Sequence, residues 1–253
     1  MSRRIPDGFT FARAGRLRLL VRTDAPELRS LLERWAGGTL PPARALLGGR
    51  GGVGAFQLRA DLTVVLRPYR RGGLIARLNR QRYLGLRPRP FRELRASERL
   101  RAAGVPTPEV LGAAVLWDAP GCYRGALASR EVPGAINLWH YLQMAAPADR
   151  GPACAAAAAV TRRLHDAGAI HPDLNLQNYL VRRTAAGVEA WVIDLDKVRF
   201  ARVSPRTRRA AFARLCRSIR RLDPESAVMT LACVDALRDV ADEGNDAHSS
   251  APL

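Results

Sequence analysis

Three polar side chains at fixed spacing define the chemistry open to this chain. The segment His171-Pro172-Asp173-Leu174-Asn175-Leu176-Gln177-Asn178 puts an aspartate five residues before an asparagine, and the apolar run Trp191-Val192-Ile193 delivers Asp194, 21 positions after Asp173. One carboxylate on a loop orients an attacking hydroxyl. An amide and a second carboxylate, at the end of a short strand, hold Mg²⁺ on nucleotide phosphates. That set serves phosphoryl transfer, with Asp173 as the catalytic group and Asn178 and Asp194 as metal ligands. Asp and Asn are also ordinary turn and cap residues, so the assignment depends on the other parts following in order.

The elements that must position these residues read along the chain as two lobes. Residues 1–47 form a lead segment with a helix over Pro26–Ala36, where Leu28, Leu31, Leu32 and Trp35 share one face. Residues 48–132 form a small, β-rich lobe. It opens on a G-x-G-x-x-G at Gly49, Gly51 and Gly54, and strands follow at Ala55–Leu58 and Leu62–Leu66. A dinucleotide fold needs a strand before such glycines and a helix after them. Here the glycines precede a strand pair, the layout of a kinase phosphate-covering loop. A flexible glycine-rich linker is the competing reading.

Val64-Val65-Leu66-Arg67 has the shape of the kinase V-A-I-K, with arginine in the lysine position. A helix over about Pro90–Ala103 carries Glu93 at the distance that suits an ion-pair glutamate, with Glu98 as runner-up. Arg67 then holds nucleotide phosphates and Glu93 positions it; a solvated strand-end arginine is the alternative. Strands at Val110–Trp117 and Tyr123–Glu131 lead to a hinge at Val132-Pro133-Gly134. Residues 133–240 form a helical lobe: Leu138–Met144 capped by Asn137, an alanine-rich helix over 148–167, and two basic amphipathic helices within Pro205–Val240. His171 braces the catalytic loop near Asp194 rather than transferring protons, and Asp196 is a partner for Lys197 and Arg199, with a second metal neighbour as the alternative. Residues 241–253 have the composition of a disordered tail.

Composition narrows the partners. The net charge is +18, and Lys197 is the single lysine, so 40 of the 41 basic residues are arginine. Such a chain favours phosphorylated substrates, anionic membrane surfaces or nucleic acid. Arg67–Arg92 is densely basic with Tyr69, Tyr83 and Phe91 interleaved, and its Arg70, Arg71, Arg77, Arg80 and Arg82 are a candidate contact for an anionic substrate or membrane. No apolar run approaches the length of a spanning helix, and the start of the sequence has no secretory pattern. The four cysteines are scattered and read as reduced structural thiols.

With these parts in order, the chain resembles the lipopolysaccharide core kinases over about residues 45–222. The resemblance rests on Gly49-Arg50-Gly51, the run from Val65 to Leu74, Pro90-Phe91-Arg92-Glu93, Asp173-Leu174-Asn175, Ile193-Asp194-Leu195-Asp196 and Arg214-Leu215-Cys216-Arg217-Ser218. It implies an α+β, bilobal protein-kinase-like fold with a small β-rich N-lobe and a helical C-lobe. It also implies ATP as co-substrate, Mg²⁺, and phosphorylation of 3-deoxy-D-manno-octulosonic acid (Kdo) on a lipid A precursor at the cytoplasmic face of the bacterial inner membrane. Two departures stand out: Leu176-Gln177 replaces an expected Ala-His, and Leu195-Asp196 replaces the Phe-Gly of a switchable activation loop. A heptose or other envelope-sugar kinase, or an RNA-associated kinase, shares the donor-side features. A non-catalytic arginine-rich nucleic-acid binder accounts for the charge but leaves Asp173, Asn178 and Asp194 unexplained; no specific nucleic acid is expected.

Overall fold

The computed structural model describes residues 5–46, 53–70 and 82–241. In the small lobe β1 (Phe9–Ala14), β2 (Leu17–Arg22), β3 (Gly54–Arg59), β4 (Leu62–Pro68), β5 (Tyr83–Leu84), β6 (Val110–Ala119) and β7 (Cys122–Arg130) form one antiparallel sheet. The strand order is β1-β2-β6-β7-β4-β3, with β5 also on β7. Both faces are covered, which explains the near-continuous apolar runs of β2 and β6. Leu19, Val21 and Leu111 face α1 (Leu28–Gly37), while Leu20, Val110 and Ala113 share the other core with Leu94 of α2 (Arg89–Ala102). This is the period-2 alternation of strands, with an apolar partner on each side.

Two glycines let the helices approach. A Cβ at Gly112 would lie 2.8 Å from a Leu28 methyl, and one at Gly125 would lie 2.5 Å from the Pro90 ring. The second contact seats the start of α2 on the sheet, and α2 carries Glu93.

Residues 9–22, placed in a separate lead by their sequence, are a correction to that division: β2 pairs with β6, so the segment is part of the small lobe's sheet. The two strands escape sequence reading because arginines interrupt their apolar pattern. The helix of that segment does form, as α1.

The large lobe contains β8 (Ile136–Asn137), α3 (Leu138–Met144), α4 (Pro147–Asp166), β9 (Ala169–Ile170), β10 (Tyr179–Thr184), β11 (Gly187–Val192), β12 (Arg199–Phe200), α5 (Pro205–Leu222) and α6 (Leu231–Arg238). Asn137 caps α3 by accepting from the Trp139 amide at 3.0 Å. Small residues along α4, Ala153, Ala157 and Ala158, are fully buried in one core with Val192 and Leu237. Among the described residues no helix is long and apolar enough to cross a membrane.

Two short pairings bring distant residues together. In the β10–β11 hairpin Tyr179 lies opposite Val192, and the Ile193 amide donates to the Asn178 carbonyl at 2.8 Å. Asn178 and Asp194 therefore leave the hairpin side by side. Pairing of β9 with β12, Ile170 opposite Arg199, clamps the start of the Asp173 loop to the segment after Asp194.

Candidate active site

A cavity of about 460 Å³ separates the lobes, and Arg67, Glu93, Asp173, Asn178, Asp194 and Lys197 all line it. Arg67 leaves the end of β4 and meets Glu93 at 2.5 Å and Asp194 at 3.2 Å. Glu93 is almost wholly enclosed, with 4% of its side chain exposed, whereas Arg67 keeps 31% open. Its carboxylate also accepts from the Tyr69 hydroxyl and, at 3.2 Å, from the Leu195 amide. Burial, reinforced by Asp194, raises the Glu93 pKa even though Arg67 opposes that shift. On Arg67 burial works against the charge, but Glu93, Tyr69 and Asp194 together outweigh it and raise the pKa. The guanidinium is thus fixed in place by a buried acid and presents its open side to the cavity.

Asp194 has φ 66° and ψ 51°, a left-handed conformation tolerated by a short acidic side chain. Strain of this kind concentrates at functional sites. The Asp194 carboxylate stays about half exposed, one oxygen on Arg67. Asn178 is buried and ordered by a reciprocal cap: its Oδ1 accepts from the Asn175 amide at 3.0 Å and from the Asn175 side chain. Asn175 in turn donates to the Asp173 carbonyl at 2.8 Å, so one side chain ties the Asp173 backbone to Asn178.

Lys197 forms an ion pair with Asp173, and this bond is the largest cause of the depressed Asp173 pKa. The expected Lys197–Asp196 pairing is not found. Asp196 is buried and meets Arg89 at 3.3 Å instead, while Arg92 donates to its backbone carbonyl at 2.6 Å. Burial raises the Asp196 pKa. His171 is buried behind the loop; its ring lies against the Ile193 backbone without completing a well-aligned hydrogen bond, and burial lowers its pKa.

The remaining sequence candidates divide. Gly54 opens β3, is buried, and lies outside the cavity lining; an added Cβ would meet that of Ala43 at 2.5 Å. The absent side chain at this position gives room to Ala43. Arg70 lines the cavity, whereas Arg82 is committed to Asp118 at 3.0 Å. Glu98 pairs with Arg22 and Arg101, away from Arg67. Gly49, Gly51, Arg71, Arg77 and Arg80 lie outside the described residues. Sequence reasoning missed Lys197, Asn175 and Tyr69 as parts of the site. For Lys197 a signal existed, since it is the one lysine in an otherwise all-arginine set of basic residues.

Residues 47–235 match the lipopolysaccharide kinase (Kdo/WaaP) family. The chain belongs to that family. It is 36% identical over 178 residues to the 3-deoxy-D-manno-octulosonic acid kinase of Xanthomonas oryzae pv. oryzae (strain PXO99A), covering 69% of this chain and 68% of the relative. A kinase of the same name from Actinobacillus succinogenes (strain ATCC 55618 / DSM 22257 / CCUG 43843 / 130Z) is 36% identical over 152 residues, covering 58% and 62%. Among solved structures, WaaP in complex with acyl carrier protein superposes with a TM-score of 0.54 at 18% identity, covering 88% of each chain. That likeness shows the bilobal kinase-like fold. As a member of the Kdo/WaaP family the chain is a phosphotransferase that uses ATP and a sugar hydroxyl.

Proposed function

We propose that this family member transfers the γ-phosphate of ATP to a hydroxyl of Kdo on a lipid A precursor. The convergence of Asp173, Asn178, Asp194 and the Glu93-braced Arg67 on one cavity carries the reading. The 36% identity to a Kdo kinase supports the choice of acceptor.

In this reading the Asp173 carboxylate accepts a hydrogen bond from the acceptor hydroxyl and takes its proton as the new P–O bond forms and ADP leaves. Lys197 occupies one Asp173 oxygen, Oδ2, and leaves the other for the hydroxyl. Its ammonium stands where charge on the transferring phosphoryl group is stabilised. Arg67 holds the nucleotide phosphates with its open face, and the Val132–Gly134 hinge backbone meets the adenine.

Mg²⁺ fits the donor set. Among the described residues no cluster of three His, Cys, Asp or Glu side chains forms a metal site by itself. One half-exposed carboxylate plus one amide oxygen suits an ion that takes its other ligands from phosphate and water. When bound, the ion would neutralise charge on the phosphate oxygens, held by Asp194 and Asn178. Asn178 Oδ1 must then be shared with, or released by, the Asn175 side chain.

The acceptor's lipid anchor implies work at the cytoplasmic face of the inner membrane. Surface arginines near anionic lipid contribute about 1 kcal/mol each and fade within a Debye length. The basic, amphipathic α5 and Arg70 supply such charge among the described residues. Incubation with γ-labelled ATP and equal amounts of Kdo-bearing and heptose-bearing lipid acceptors tests the assignment. Label should pass to the Kdo acceptor; label on heptose alone would replace this reading with that of a heptose kinase.

A further inference from the structure

At one end of the small-lobe sheet two large apolar side chains stand in the open. Leu84 and Leu86 are 76% and 84% exposed, on either side of Gly85. Gly85 has φ 136°, a bend that favours glycine, and its amide donates to the Gly121 carbonyl at 2.8 Å. That bond pins the leucine turn to the β6–β7 turn, so the backbone itself holds both side chains in solvent. Cations surround the pair. Arg82 and Arg87 flank it in sequence, and both are exposed. Arg82 and Arg124 meet the Asp118 carboxylate at 3.0 Å and 3.3 Å, and Arg16 donates to the Asp118 carbonyl at 3.0 Å. Three arginines thus converge on one acid, and among the described residues no carboxylate pairs with Arg87, which leaves this end of the sheet cationic. Tyr83 and Arg89, on the two sides of the turn, line the cavity that holds Asp173 and Asp194. Exposed leucines scattered singly are ordinary. A pinned pair ringed by arginines beside an active-site cavity has the chemistry of a lipid interface, an apolar tip with cations at headgroup level.

We propose that this turn docks the enzyme on an anionic lipid bilayer: Leu84 and Leu86 enter the interface, the surrounding arginines meet lipid phosphates, and the cavity is held beside the membrane. The choice of partner rests on the lipid-linked acceptor proposed above. A second copy of the chain fits less well on two counts. Like-charged rims repel, and two leucines cover only a fraction of the about 800 Å² a side of a stable protein interface. Neither part of the turn anchors alone. Two leucines carry fewer methylene groups than a myristoyl chain, which itself binds only marginally, so the arginines are needed and attachment weakens as salt screens them.

Co-flotation of the full chain with phosphatidylglycerol-containing vesicles and with phosphatidylcholine vesicles, no acceptor present, tests this contact. Wild type should bind the anionic vesicles at low salt. The double variant Leu84→Ser/Leu86→Ser should bind them on the order of 10–100-fold more weakly with little change in Tm. The indole placed by Leu86→Trp should shift to the blue on anionic vesicles and be quenched by lipids brominated in their acyl chains, beyond any change in wild type. Equal binding by wild type and the double variant, or an indole neither shifted nor quenched, would overturn the anchor. So would a wild-type dimer that the double variant dissolves while vesicle binding stays the same, which would give this face to a second copy. With acceptor added, the double variant should lose transfer to vesicle-borne Kdo and keep wild-type transfer to Kdo without a lipid anchor; equal loss on both would also overturn it. A wild-type chain that inserts into vesicles yet phosphorylates no Kdo acceptor would refute the Kdo reading and leave the membrane contact standing.

Discussion

Replacing Arg67 with methionine removes the cation that is paired with a buried acid. Glu93 exposes only 4% of its side chain, and among the described residues Arg67, at 2.5 Å, is its sole ionic partner; the Tyr69 hydroxyl and the Leu195 amide remain as neutral donors. Stranding a buried charge in this way costs about 3–5 kcal/mol. The two surviving hydrogen bonds and the partial exposure of Arg67 place the cost near the lower end, about 3 kcal/mol. For a chain of this length that lowers Tm by roughly 6–12 °C.

The penalty must depend on pH, and its sign follows from linkage. The Glu93 pKa is already raised above its ordinary 4.5 in the folded protein, and losing Arg67 raises it further. A carboxyl with a raised folded pKa contributes most stability below the unfolded pKa and loses it as pH rises through the folded one. A cost of about 3 kcal/mol corresponds to roughly two pH units, so at pH 5 less than about 1 kcal/mol remains. Thermal unfolding of Arg67→Met and wild type at pH 5 and pH 8 should show the large Tm loss at pH 8 and a small one at pH 5. An equal loss at both values, or none, would refute the ion-pair account. Arg67→Lys should sit between the two proteins in Tm and retain part of the ATP turnover.

Asp173→Asn should lower kcat by about 10²–10⁴-fold with nucleotide affinity nearly unchanged, as measured by steady-state kinetics and ATP titration. Asp194→Ala should abolish transfer at little cost in Tm; near wild-type turnover by either variant would contradict the site. In Lys197→Met the main cause of the depressed Asp173 pKa is gone, so the acid limb of kcat/KM should move to higher pH; an unmoved limb would mean that Asp173 is not the base observed. The chain should co-sediment with anionic liposomes at low salt and release as salt rises, and binding insensitive to salt would speak against an electrostatic surface contact.

Much of the positioning machinery was legible because local rules agreed with the fold. The α2 pattern and Gly104 delimited the helix that carries Glu93, and Asn137 capped α3 as its type and place predicted. Asp173, Asn178 and Asp194 were readable as a set because their spacing reflects one loop and one hairpin. Other parts depend on long-range pairing that no local pattern encodes. Strand β2 acquires its role only by lying beside β6, some 90 residues later, and β1 by pairing with β2. Lys197 reaches Asp173 rather than the adjacent Asp196 because β9 and β12 pair and bring its turn against the catalytic loop. Gly54 followed a phosphate-loop spacing, yet its missing side chain makes room for Ala43, a contact visible only in three dimensions.

The most direct test of the central claim is mass spectrometry of lipid-linked Kdo after incubation with ATP, Mg²⁺ and the purified chain, with Asp173→Asn as control. The account predicts a product one phosphate heavier, with fragments placing the phosphate on the Kdo unit, and little or none with Asp173→Asn. An acceptor of unchanged mass, or equal product from the Asp173→Asn protein, would contradict it.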